Sequence, residues 1–162
     1  MTQAQLLAAI FDSSRQMSLH TFEKIKHLDI YKEFHVEDKK LNSAYWILGH
    51  LPVTENYLLL RSTGGEIEKF GWAKPFGLGG AMPEPKERVS VDEIMTTMDI
   101  VHQKAMKHIA TLTDEQLAQP NTGGMKFGDG SIREIIIHAI KHEASHAGHL
   151  GWVSKLLGVK GI

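Results

Sequence analysis

Apolar residues recur along most of this chain at a helical period, so the pattern predicts helices. From Thr2 to Leu28 the recurring positions are Leu6, Leu7, Ile10, Phe11, Met17, Phe22 and Ile25. Asn42 is placed to cap a second helix, Ser43 to about Arg61. The middle of that helix is apolar almost all round, which predicts burial on several sides. Pro52 removes a backbone donor inside it, which predicts a kink next to His50. Ser90 and Glu93 have capping-box spacing and open a third helix to about Thr111, with Ile94, Met98, Val101, Ala105 and Ile109 as its stripe. Thr113 to Leu117 adds one further turn. Ser131 and Glu134 repeat the capping-box spacing before the last helix, which runs to Leu157 and ends at Gly158 and Gly161. On its one side fall Ile135, Ala139, His146, Leu150, Val153 and Leu157, with His142 at the edge of that stripe.

The connections differ in character. Asp29 to Lys40 is charged and carries no clear pattern. Ser62 to Val89 is rich in Gly and Pro, yet Phe70, Trp72, Phe76 and Met82 need somewhere to pack. It reads as an ordered crossover with a short helical turn near Glu66 to Phe70. Asn121 to Gly130 is a turn-rich loop. Four helices and two long loops imply an all-α four-helix bundle, one domain over residues 1–162. A second connection long enough to run the length of the bundle would place helices two and three parallel.

Composition narrows the chemistry. A formal charge of −1 leaves no basic excess to hold a phosphate backbone, which argues against nucleic acid as a partner. The absence of cysteine removes disulfides, thiolate nucleophiles and Cys-type zinc sites. The first residues lack a secretory n-region and nothing approaches a membrane span, so a soluble cytoplasmic protein is expected. His, Asp and Glu are left as candidate ligands.

His142 and His146 stand one turn apart and can grip one divalent ion. They form a literal His-Glu-x-x-His string with Glu143, the zincin signature. The downstream residues do not continue it: position 149 is His where a metzincin needs Gly, and no acidic residue follows for a gluzincin. A ferritin-like di-iron site needs two Glu-x-x-His units, and Glu143 with His146 makes one. What remains is His50 from the second helix with His142 and His146 from the last. Helices about 8–10 Å apart can bring three imidazoles around one ion. His50 lies in an otherwise greasy wall with Trp46, Val53, Tyr57 and Leu60, and needs a partner there: a metal, a carbonyl or a water. His20, His27, His102 and His108 read as surface or rim residues.

Trp46, Gly49-His50-Leu51 and Glu55 on helix two, with His138 and His142 to Leu150 on the last helix, resemble the DinB superfamily of small four-helix-bundle metalloproteins. The likeness covers nearly the whole chain. It implies His50, His142 and His146 as metal ligands, an up-down-down-up bundle, often a homodimer, and zinc or nickel as the usual ion. Iron is also compatible with imidazole ligands. His149 stands where many relatives have glutamine, which leaves open a fourth ligand or a supporting hydrogen bond. Relatives are similar to thiol-dependent S-transferases and isomerases that use low-molecular-weight thiols. The resemblance therefore implies a metal-dependent transferase or hydrolase acting on a small molecule. Glu55, Tyr57, Glu143 and His149 are the polar candidates around the ion, and Tyr57 reads equally well as an amphipathic core residue. The alternative is a non-catalytic metal-binding or small-ligand-binding stress-response bundle. Ala144, Ala147, Gly148 and Gly151, opposite the histidine face, let another helix approach closely, and a homodimer is expected.

Overall fold

Thr2 and Gln5 satisfy each other's backbone ends in a reciprocal capping box and start the first helix, α1 (Gln3–Glu23). Ala4, Ala8, Phe11, Arg15, Ser18 and Phe22 recur on it at alternating steps of four and three, and all are buried. The computed structural model describes residues 1–160. Past Glu23 the chain tightens into turns closed by Ile25 on Phe22 and Leu28 on Ile25, so α1 stops short of the predicted Leu28.

A two-stranded antiparallel hairpin follows, β1 (Phe34–Val36) and β2 (Lys39–Leu41), in the segment without a clear pattern. Its strands are three residues long and largely exposed, so no alternation marks them. Glu37 turns the corner at φ 53°. The next helix, α2 (Ala44–Glu55), is capped by Ser43, whose hydroxyl accepts from the Trp46 N–H at 3.2 Å. The predicted cap, Asn42, is one residue too early. α2 runs unbroken across Pro52, and its irregularity comes later, as a π-turn over Asn56–Leu60 and a 3-10 turn over Arg61–Thr63.

The crossover has no turn at 66–70. Asn56 holds that stretch open: its side-chain amide donates to the Glu68 carbonyl and accepts from the Glu68 N–H, both at 2.9 Å. The 3-10 turns fall instead at Lys74–Phe76 and Pro85–Glu87, each with a proline in its first two residues, where a fixed φ suits helical entry. α3 (Val91–Ala110), the short α4 (Asp114–Leu117) and α5 (Ile132–Leu156) complete the described helices. The two predicted capping boxes are half-formed: Ser90 and Ser131 accept from Glu93 and Glu134 N–H groups, without the return bond. At α5 the reason is visible, because the Asp129 carboxylate already takes the Ser131 N–H at 2.8 Å.

The protein is mostly helical. Its long helices pack as a ring: α1 against α5, α5 against α2, α2 against α3 and α3 against α1. The apolar core is split into two clusters. One gathers Phe11, Leu58 to Leu60, Val101, Ile109 and Ile135; the other gathers Phe22, Trp46 to Leu48, Phe76, Ile94 and Leu150. Between them the buried residues are polar: Arg15, Ser18, His50, Glu55 and Glu143. Gly148 and Gly151 have open space where a side chain would stand, so packing within this chain does not use their small size. Among the described residues no helix is long and apolar enough to cross a membrane.

Candidate metal centre

His50 is held from three directions and is 5 % exposed. Trp46, one turn earlier on α2, stacks on its imidazole with centroids 4.6 Å apart and planes at 16°. The Trp46 indole N–H donates to the Pro75 carbonyl at 3.0 Å, which seats the 3-10 turn of the crossover beside α2. The next residue of that turn, Phe76, places its carbonyl 2.6 Å from His50 Nδ1. Gly49 makes the seat possible, because a Cβ there would overlap the Phe76 ring. A carbonyl can only accept, so His50 carries its proton on Nδ1 and presents the lone pair of Nε2.

That lone pair faces α5. His50 Nε2 lies 3.2 Å from His142 Nε2, and one nitrogen from each of His50, His142 and His146 falls within 4.8 Å of the others. Ring centroids are 5.1, 4.9 and 4.5 Å apart for the His50–His142, His50–His146 and His142–His146 pairs. Zinc–nitrogen bonds of about 2.0–2.1 Å in a tetrahedron need nitrogens roughly 3.3 Å apart, so small side-chain adjustments would close the group on an ion. Burial pushes all three imidazoles below their ordinary pKa, and mutual repulsion adds to it for two: His142 to about 4 and His146 to about 3. Neutral rings with free lone pairs are the form a divalent cation binds. The donor set fits a divalent ion.

The other sequence candidates are distributed around this point. His149 Nδ1 is 3.4 Å from His146 Nδ1, on the exposed side of α5. His138 is covered by Phe127 of the preceding loop, stacked at 3.6 Å, and its ring is 6.2 Å from that of His142. Tyr57 sits in the π-turn, 37 % exposed, with its hydroxyl donating to the Gly123 carbonyl at 3.4 Å.

Glu143 and Glu55 point elsewhere. Arg15 grips both Glu143 oxygens, from Nε and Nη2, at 3.0 Å each, and the Ser18 hydroxyl donates to Glu143 at 2.7 Å. The same Nη2 is 2.9 Å from Glu55. Burial alone would raise the pKa of Glu143, but the Arg15 guanidinium beside it brings it below the usual range. His102 bridges Glu55 Oε1 at 2.9 Å and Asp12 Oδ1 at 3.0 Å, and His108 bonds the Thr63 hydroxyl at 2.9 Å. Both are half-buried at the rim, as expected, and each has a bonding partner there.

Arg15, Ser18 and the Phe76 carbonyl are the parts that sequence reasoning missed. Arg15 and Ser18 were findable, since they fall on the 4-8-11-15-18-22 stripe of α1, where a charged residue demands a buried partner. A backbone carbonyl such as that of Phe76 carries no signal in the sequence.

The family model of the DinB superfamily matches residues 10–150. The chain belongs to the DinB superfamily. The match spans all three histidines, the whole of α2 and most of α5, along with Arg15, Ser18 and the crossover. No curated protein matches the chain.

Proposed function

We propose that this DinB protein is a metal-dependent enzyme acting on small molecules, of the thiol-dependent S-transferase type or a hydrolase. The observation that carries the reading is His50: its tautomer is set by the Phe76 carbonyl so that a lone pair meets two further neutral imidazoles. Three imidazoles leave coordination positions open to substrate, the pattern of catalytic rather than structural sites. When bound, zinc or nickel would supply a positive centre that lowers the pKa of a coordinated thiol or water; iron is the third candidate.

The chain's own residues divide the remaining work. His50, His142 and His146 hold the ion. Trp46 and Phe76 orient His50. His149 is the polar group best placed to hydrogen-bond a substrate at the rim, because its ring meets that of His146 and is exposed. Glu55 and Glu143 act at a remove, joining α1, α2 and α5 through Arg15 behind the triad. Tyr57 serves to hold the Gly123 loop.

Contacts between helices support the family's up-down-down-up order. α1 and α5 meet in the same sense at Gln3–Arg133 and Arg15–Glu143. α2 with the turns that follow it and α3 with the residues just before it do so at Tyr45–Val89, Glu55–His102 and Thr63–His108. We read the whole chain as one such domain. The homodimer expected for the family would use the open space beside Gly148 and Gly151, and light scattering at micromolar concentration tests it.

The decisive experiment is elemental analysis of untagged protein, followed by incubation with a panel of thiols and electrophiles and with ester substrates. Metal-dependent turnover that a chelator abolishes is expected. No thiol or ester consumed faster with metal than without would leave a non-catalytic metal-binding bundle.

A further inference from the structure

Both helices that carry the triad continue past it as the walls of a cavity. On α2, Ile47 precedes His50 by one turn. On α5, His149, Val153 and Leu156 follow His142 and His146 at steps of three and four, so the five share one side of the helix. Ile47, His149, Val153 and Leu156, with Leu41 and Trp152, line a space of about 280 Å³. Ile47 and Val153 are buried, while Trp152 is 66 % and Leu156 46 % exposed. The lysine on its wall, Lys40, is paired with Glu33 at 3.0 Å. The polar group at the triad end is His149. Small-molecule sites are apolar cavities with a few polar groups at one end, and this one is just under their usual volume, about 300–1,000 Å³. A stable partner chain would need roughly 1,000 Å² or more of buried surface, well beyond two exposed apolar side chains.

We propose that this cavity is the substrate groove of the triad. It takes the apolar arm of a small amphipathic molecule whose polar end reaches the ion past His149. The arm is about 10 Å long, the rise of the seven steps from His149 to Leu156 along a helix axis. The proposal rests on the reading of the triad as a divalent-ion site.

The test uses the zinc-loaded protein and straight-chain hydroxamates, whose head group binds metal. Calorimetry is run from acetohydroxamate through butano-, hexano- and octano- to dodecanohydroxamate, with tryptophan emission followed in parallel. Acetohydroxamate reports the ion alone. Affinity should rise about two- to fourfold per added methylene and level off once the chain passes Leu156. Trp152→Ser and Leu156→Asp, both at exposed positions, should flatten the rise and leave zinc content and acetohydroxamate affinity unchanged. A flat series in the wild type, or an equal slope in both variants, would overturn the groove. So would a solution dimer that Leu156→Asp splits, because a second copy would then cover this face. Failure of zinc and acetohydroxamate to bind would sink the triad reading instead. The groove would then stand only on a saturable shift of tryptophan emission with n-octanol, absent in Trp152→Ser, and would fall without it.

Discussion

The histidine triad and the lone His102 sit in contrasting surroundings near the buried carboxylates of this helical protein. In the triad, His50, His142 and His146 face one another, and burial lowers the pKa of all three, with mutual repulsion adding to it for His142 and His146. Burial opposes charge on His102 as well, but bonds to Glu55 and Asp12 outweigh it and raise its pKa. The same ring is thus a free lone-pair donor in one place and an ion-pair partner in the other. The difference lies in where Glu55 and Glu143 are directed. Arg15 draws both carboxylates away from the triad, and His102 gives Glu55 a second bonding partner at 2.9 Å. The proposed metal site of neutral imidazoles therefore depends on a salt-bridge cluster it does not touch.

The severest way to break the arrangement is Arg15→Met. Two buried carboxylates would lose their shared partner, at a cost of about 3–5 kcal/mol in urea unfolding. Arg15→Lys should rescue it only in part, because a point charge cannot grip Glu143 with two bonds and reach Glu55 as well. Next in size, His50→Ala or His146→Ala should weaken zinc binding by more than about 100-fold in calorimetry, since removing a ligand costs at least as much as losing a supporting bond. The apo fold should persist in these variants. An unchanged affinity in either would refute the triad.

Gly49→Ala probes the seat of His50 without touching a ligand. Pushing Phe76 away should lower zinc affinity about 10- to 100-fold and free the His50 Nδ1 proton, visible as a changed tautomer by nitrogen NMR. A variant that loses stability alone would show that Gly49 matters only for packing.

The smallest effects sharpen the contrast, because the two groups respond to pH in opposite directions. The triad histidines have folded-state pKa values below the unfolded one, so apo protein should lose stability as pH falls from about 6.5 toward the values near 4 and 3 of His142 and His146. His102 has a raised value. Its contribution is full below the unfolded pKa and is lost as pH rises through the folded one. The groups facing His102 are Asp12 and Arg15 of α1, Glu55 of α2 and, along the cavity beside it, Asp99 of α3. Urea unfolding across pH should show both limbs. His102→Gln should flatten the alkaline limb alone, and zinc should shift the acid limb alone.

Much of this was legible beforehand. Helical periodicity located the long helices, and the positions of His50, His142 and His146 marked a candidate site, because residues one turn apart on a helix share a face whatever surrounds them. Less visible were features whose cause is a distant backbone. The crossover turn moved from 66–70 to Lys74–Phe76 because Asn56 occupies the backbone of Glu68 and proline favours helical entry at position 75. The hairpin at 34–41 has no period to detect, and Ser131 does not complete its box because Asp129 reached the N–H first.

By itself the sequence determined which residues turn inward along each helix, since that depends on local periodicity and the cost of exposing apolar surface. Only the tertiary structure decided what those inward groups do. Glu143 is next to His142 in the chain and yet serves Arg15 on another helix, and His50 takes its tautomer from a carbonyl of the crossover. Protonation and hydrogen-bond partnership are set by which charges and dipoles lie within a few ångströms, and packing brings those from residues far apart in the chain.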